Sequence, residues 1–388
     1  MENVWFTAAF WVALAFAASL ISIRIGLSVA LVEIAVGVVG GNFLGLHTAP
    51  WIDFLASFGS VLLTFLAGAE IDPASFRRHL KPSLFIGFAS FLLPFLAALA
   101  FAHYVVGWDL RAAEIAGIAL STTSVAVVYA VMVETGLNNT GLGKLILAAC
   151  FVTDLGTVLA LGILFANFDL WMVAFIAVTA AVLWQLPRLT RYVLVTWGGK
   201  VSEPEVKFLF LTLFVLGGLA NTAKSEAVLP AYLVGLVVAG VFVHDKVLVH
   251  RMRAIAFTML TPFYFLKAGL YVSLPAVVAA AGLILVLLGV KVGTKVVGVW
   301  PLARAFKLSG REANYTTMLM STGLTFGSIS ALFGLTNNII DQSQYSVLVS
   351  VVIGSAVVPT IIAQAFFMPR RFEGQRERTA IAEGDVLS

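Results

Sequence analysis

Apolar residues run through this chain in long blocks, and polar residues gather in the short gaps between them. Blocks of about 17 to 25 apolar residues match the length a helix needs to cross a bilayer. The chain divides into 4–22, 28–46, 51–70, 82–106, 112–134, 142–166, 168–187, 206–223, 227–244, 252–272, 274–300, 311–334 and 344–367. The pattern predicts an all-α polytopic membrane protein with 13 transmembrane helices. The thinnest separators are residues 167–169 and 273–275. Residues 188–207 read as the longest connection, coil-like, and 370–388 as a short polar cytoplasmic tail. No basic residue precedes the first block and further apolar blocks follow at once, so it reads as a retained helix rather than a cleaved signal.

Composition strengthens this picture. The 388 residues are 60% hydrophobic and 11% charged, with a mean hydropathy of +1.00. Soluble domains carry about 25% charged residues, so there are too few here to cover a water-exposed surface. The formal charge of +4 does not point to nucleic acid, because the basic residues follow membrane orientation. With the N-terminus outside, the inside gaps, the block ends that border them and the C-terminus hold nineteen of the 24 Lys and Arg. The outside gaps hold Arg111 and Lys224, and Lys267, Lys291 and Lys295 fall deeper within blocks. That bias supports N-out, C-in and an odd number of spans.

The single cysteine, Cys150, permits no intrachain disulfide, and no Cys/His metal cluster is present. No Walker loop, dinucleotide fingerprint, nucleophile elbow or zinc signature occurs. Neither an enzyme, an ATP-driven pump nor a cofactor is expected. The five histidines, His47, His79, His103, His244 and His250, lie near block ends and read as interfacial residues.

The informative residues are polar ones inside apolar blocks. Asp154 lies at the centre of 142–166, about 18 Å from either end at 1.5 Å per residue. A carboxylate at that depth is costly and marks an ion or proton pathway. It can be neutralised by a proton or by a metal cation, but not readily by both, and that competition is the minimum machinery for exchange. Alkali cations need oxygen ligands, and Thr153 and the Ser121-Thr122-Thr123-Ser124 cluster offer them.

A related cluster, Ser321-Thr322-Gly323-Leu324, opens in the twelfth block. The fifth and twelfth blocks are seven apart and so cross in opposite directions, as inverted repeats with two broken helices would. Lys291 and Lys295 are four residues apart and share a helix face. Lys295 is the preferred partner for Asp154 or for the helix ends, with Lys291 its rival. Glu33 and Lys267 also interrupt apolar blocks, and fit a structural pairing as well as a transport role. Glu70 and Asp72 read as interface charges beside Arg77 and Arg78.

Several stretches together carry a family resemblance: Val32-Glu33-Ile34-Ala35-Val36-Gly37, Leu62 through Glu70, Thr122-Thr123-Ser124-Val125, Phe151-Val152-Thr153-Asp154, Lys295-Val296-Val297-Gly298 and Ser321 through Gly327. They resemble the second branch of the monovalent cation–proton antiporter superfamily, the sodium/proton and potassium/proton exchangers of bacteria and organelles. The resemblance implies crossed broken helices, with Ser121, Thr122, Ser321, Thr322 and Gly323 at the breaks. It implies ion and proton binding at Asp154 with Thr153, Thr123 and Ser124, and supporting charges at Lys295 and Glu33, to which the position of Lys267 in its apolar block adds a third.

It further implies a core of about 51–166 and 252–369, a dimerisation domain of about 1–46 and 168–244, a homodimer, and an elevator-like cycle in a bacterial inner membrane. H+ and Na+ or K+ would be the substrates, within a lipid bilayer. Electrogenic members commonly carry two adjacent Asp residues. Thr153 stands in the first position here, so electroneutral 1:1 exchange is expected. The tail is too short for a fused nucleotide-binding regulatory domain, which is therefore not expected. A sodium-coupled organic-solute symporter of related fold is the main alternative, and a non-transporting sensor or pore is a third class.

Overall fold

The computed structural model describes residues 4–25, 29–69, 80–137, 140–165, 170–223, 227–242 and 246–369. The readings of Glu70, Asp72, His79, His244 and the 370–388 tail lie outside them. All regular structure among the described residues is helical. Nine helices among them are long and apolar enough to cross a membrane, and two shorter apolar ones, Val29–Phe43 and Val228–Val241, accompany them. The chain forms two compact units: Met1–Pro73 with Val158–Ser273, and Ala74–Thr157 with Leu274–Ser388.

The first unit contains α1 (Val4–Ile25), α2 (Val29–Phe43), α3 (Pro50–Ala69), α8 (Leu170–Trp197), α9 (Pro204–Thr222), α10 (Val228–Phe242), α11 (Lys246–Ile255) and α12 (Thr261–Leu270). Its interior is built from Leu62, Phe65, Leu209, Leu213, Val234 and Met252, all buried. Glycines allow two of its helix pairs to touch backbone to backbone. A Cβ on Gly68 would overlap the Tyr232 carbonyl, and one on Gly235 the Phe65 carbonyl, locking α3 to α10. Gly37 and Gly269 do the same for α2 and α12, against the carbonyls of Leu266 and Ile34. Small residues are what such close membrane packing requires. Gly269→Val is expected to force α2 and α12 apart, at a cost of ~3 kcal/mol or more. Loss of the monodisperse peak in size-exclusion chromatography checks this; an unchanged peak and melting temperature would contradict it.

Two sequence boundaries shift in this unit. The connection expected at 188–207 is largely helical, because α8 continues through Pro187 to Trp197. Leu186, Thr190 and Val193 are buried at helical spacing while Arg188, Arg191 and Tyr192 are exposed. The stretch is an amphipathic helix end whose charges hid its period. The block expected at 252–272 is a composite: α11 passes through a π-helical turn, Ala256–Leu260, into α12. Pro262 has no N–H to give the preceding turn, and the wider turn ahead of it re-registers the ladder.

The second unit contains α4 (Leu80–Ala100), α5 (Leu110–Ser121), α6 (Val125–Glu134), most of α7 (Gly141–Leu164), α13 (Leu274–Ala279), α14 (Ala281–Ala305), α15 (Gly310–Met320), α16 (Thr325–Thr336) and α17 (Gln342–Phe366). Side-chain caps set where several begin. Asp109 accepts from the Arg111 amide to start α5. Ser309 with Glu312 and Asp341 with Gln344 form reciprocal capping boxes at α15 and α17. Ile86, Val128, Met132, Ile146, Tyr315 and Leu319 fill the interior between these helices.

Candidate ion site at the crossed helices

Both Ser/Thr clusters interrupt helices. Residues 122–124 separate α5 from α6, and 321–324 separate α15 from α16. Thr122 is extended, with φ −63° and ψ 153°, so the last turn of α5 ends with carbonyls that no helical N–H reaches. Hydroxyl side chains make such breaks tolerable. Ser121 and Thr122 donate back to Ile118 and Ala119, and Ser321 and Thr322 to Thr317 and Leu319.

The two breaks meet. The Ser124 amide donates to the Thr322 carbonyl at 3.1 Å. The Thr123 hydroxyl donates to the Met320 carbonyl at 2.8 Å. Residues nearly 200 positions apart in sequence thus satisfy one another's backbone, as buried irregular structure in a membrane must.

Lys295 on α14 completes the first break. Its Nζ donates to the Ser121 carbonyl at 2.8 Å, to Thr123 Oγ1 at 3.0 Å and to Ser90 Oγ on α4 at 2.8 Å. The Thr122 carbonyl lies at 3.4 Å. The three protons of the ammonium have three short acceptors, at the negative end of the α5 dipole. Lys291, one turn earlier, is equally buried. Its Nζ has no hydrogen-bond partner among the described residues. It lies against the second break, where a Cβ on Gly323 would overlap it. The α14 helix therefore presents one lysine to each break. Sequence left these two as rivals; the geometry gives Lys295 the hydrogen bonds.

Asp154 lies on α7, 1% exposed, and its Oδ1 has no hydrogen-bond partner among the described residues. Lys295 is near enough to act on its charge, without a salt bridge joining them. Cys150, one turn before Asp154, touches the Met320 sulfur at 3.7 Å, which turns this face of α7 towards the crossing. Thr153 faces α4 instead: its hydroxyl donates to the carbonyls of Gly87 and Ala149 at 3.2 and 3.1 Å. Gly87 permits that approach, since a Cβ there would lie 2.5 Å from Val152 Cβ. Ser124 Oγ caps α6, accepting weakly from the Val127 amide at 3.4 Å.

The structure thus brings together Asp154, Thr123, Lys295 and both breaks within the second unit. Glu33 and Lys267 belong to the first. Glu33 is buried on α2 with its Oε2 unpartnered among the described residues. Lys267 pairs with Asp53 at 2.7 Å, the structural pairing that its sequence context also allowed. Ser90 was missed by sequence reading. Its signal is faint: Ser83, Gly87, Ser90 and Pro94 recur at helical spacing as a small and polar stripe on α4, and all four are buried.

A family model described as "Sodium/hydrogen exchanger, transmembrane" matches residues 12–368. The chain belongs to the sodium/hydrogen exchanger family. Within that family it is 26% identical over 366 residues to the Na(+)/H(+) antiporter of Enterococcus hirae, covering 89% of this chain and 93% of the relative. It is 24% identical over 270 residues to the probable Na(+)/H(+) antiporter 3 of Methanocaldococcus jannaschii, covering 67% and 69%. Its fold is similar to that of the sodium proton antiporter MjNhaP1 from Methanocaldococcus jannaschii, with a TM-score of 0.70 at 14% identity over 94% of this chain and 96% of that one. A multi-pass membrane protein of a transporter family, rather than an enzyme, is what the motifs implied.

Proposed function

We propose that this exchanger-family protein carries protons against Na+ or K+, one for one, by elevator-like alternating access, with Asp154 holding the proton and the cation in turn. The observation that carries this reading is the pairing of a single buried carboxylate with crossed helix breaks. Asp154 has an unsatisfied oxygen, and Thr123 Oγ1 and the break carbonyls lie in the same unit. A partly dehydrated alkali cation needs a charge and several neutral oxygens, and these groups supply both. Ser124 completes the proposed oxygen set, and the Thr153 hydroxyl, turned to Gly87 and Ala149, stays outside it.

Electroneutrality is supported by two features. Thr153 leaves one carboxylate in the pair, and the three donors of Lys295 are engaged by Ser90, Ser121 and Thr123. Thr123 spends its own proton on Met320, so it can only accept from the lysine. A Lys295 that released a proton each turn would break this arrangement. Dye-quench proton flux in proteoliposomes, titrated with Li+, Na+, K+ and Rb+, is expected to show saturable exchange with Na+ or K+. Its equilibrium is expected to be unmoved by a clamped membrane potential. Voltage dependence would mean a second proton, carried by Lys291 or Lys295, and would end the one-for-one reading.

The same reading takes thirteen crossings. Beyond the nine long apolar helices, α2, α10, the α5–α6 pair and the α11–α12 column would each make one. It puts the N-terminus outside and the C-terminus in the cytoplasm of a bacterial inner membrane. It keeps the core at about 51–166 and 252–369 and a dimerisation domain at about 1–46 and 168–244, within a homodimer.

A further inference from the structure

The first unit, which does not contain the ion site, carries a groove of about 610 Å³ between the C-terminal part of α8 and the end of α10. Its walls are mainly apolar: Val195 from α8, and Val237 and Val241 from α10. Arg188, Arg191 and Tyr192 line it as well. Neither arginine has an acidic partner among the described residues, although the guanidinium of Arg188 sits 5.5 Å from the centre of the Trp184 ring. Trp184, Tyr192 and Trp197 are exposed around it, the last two in edge contact at 5.4 Å. Exposed Trp and Tyr with Arg at the end of an apolar helix mark the level of the lipid headgroups.

We infer that this groove is a binding site for an anionic phospholipid, its phosphate held by Arg188 and Arg191 and an acyl chain laid along Val195, Val237 and Val241. The two halves of the groove match the two halves of such a molecule. Guanidinium groups bind phosphate in a bidentate manner, and neither charge here has an acidic partner among the described residues. A soluble anion would use the arginines but leave the valine wall unexplained. A zwitterionic lipid would use the wall but bring its own cation to the arginines. Each basic residue near a membrane surface contributes about 1 kcal/mol of attraction to anionic lipid. Removing both is therefore expected to weaken binding about thirtyfold.

The test is a thermal-shift titration of the delipidated full-length protein in detergent, with phosphatidylglycerol, phosphatidylcholine and inorganic phosphate as separate probes. Phosphatidylglycerol is expected to raise the melting temperature saturably, and the other two to leave it in place. In Arg188→Gln/Arg191→Gln the midpoint of that titration is expected to move about thirtyfold higher, and Arg188→Lys/Arg191→Lys to recover much of the shift. Proton flux per folded molecule serves as the check that the variants are intact, because neither arginine belongs to the ion site. An equal response to phosphatidylcholine, an unmoved midpoint in the double Gln variant, or full reproduction by phosphate alone would each overturn the assignment. Failure of the exchange assay would leave this result standing, since the lipid titration does not depend on transport.

Discussion

Asp154→Asn is expected to lower cation-dependent proton flux at least a hundredfold while leaving the protein folded. Asparagine keeps the shape of the side chain but can neither take up and release a proton near neutrality nor balance a cation's charge. The structural cost should be small, because Oδ1 of Asp154 has no hydrogen-bond partner among the described residues and no salt bridge ties it to Lys295. Replacing a buried charge by a neutral isostere removes a desolvation burden rather than a contact. Flux and melting temperature measured on the same preparation separate the two effects. Exchange above a tenth of the wild-type rate in the variant would remove Asp154 from the centre of the mechanism. A collapsed melting temperature would instead make it a structural residue.

Lys295→Met should differ from it in stability, losing both stability and flux. The ammonium is fully buried and joins α14 to α4 and to the end of α5. Methionine fills a similar volume but orphans the Ser121 carbonyl, Thr123 Oγ1 and Ser90 Oγ as acceptors. Each buried polar group left unsatisfied costs about 1–3 kcal/mol, so a total of ~3 kcal/mol or more is expected. Thermal unfolding should show a melting temperature several degrees below both wild type and Asp154→Asn, with flux near background. Lys295→Arg keeps the charge, but a planar fork cannot reproduce three divergent donors, so only part of the stability should return. A methionine variant as stable as wild type would mean that the four hydrogen bonds around this lysine hold nothing together.

These two predictions rest on different kinds of legibility. Asp154 stood out from the sequence because a carboxylate at the centre of a long apolar block violates the cost of burial, and that cost is local. The breaks were legible for a related reason: clustered hydroxyls and a glycine in an apolar block are poor helix interior, and both occur where the chain leaves its helix. The full extent of α8 was hidden, because its charged face disguised the 3.6-residue period of Leu186, Thr190 and Val193. Ser90 was equally hidden, since a serine on an apolar helix carries no sign of which lysine will reach it across more than 200 residues.

By itself, the sequence determined that the chain lives in a membrane, where its broken helices fall and which carboxylate is expensive. Each follows from transfer free energies that depend on a residue and its near neighbours. Only the tertiary structure gave Lys295 its hydrogen bonds to the α5 break, gave Thr153 its hydrogen bonds to the Gly87 and Ala149 carbonyls, and joined Ser124 to Thr322. Those outcomes depend on distances of about 3 Å between residues far apart in the chain. They are set by how α4, α7 and α14 pack together, through close approaches such as that at Gly87, and no local pattern of polarity encodes them.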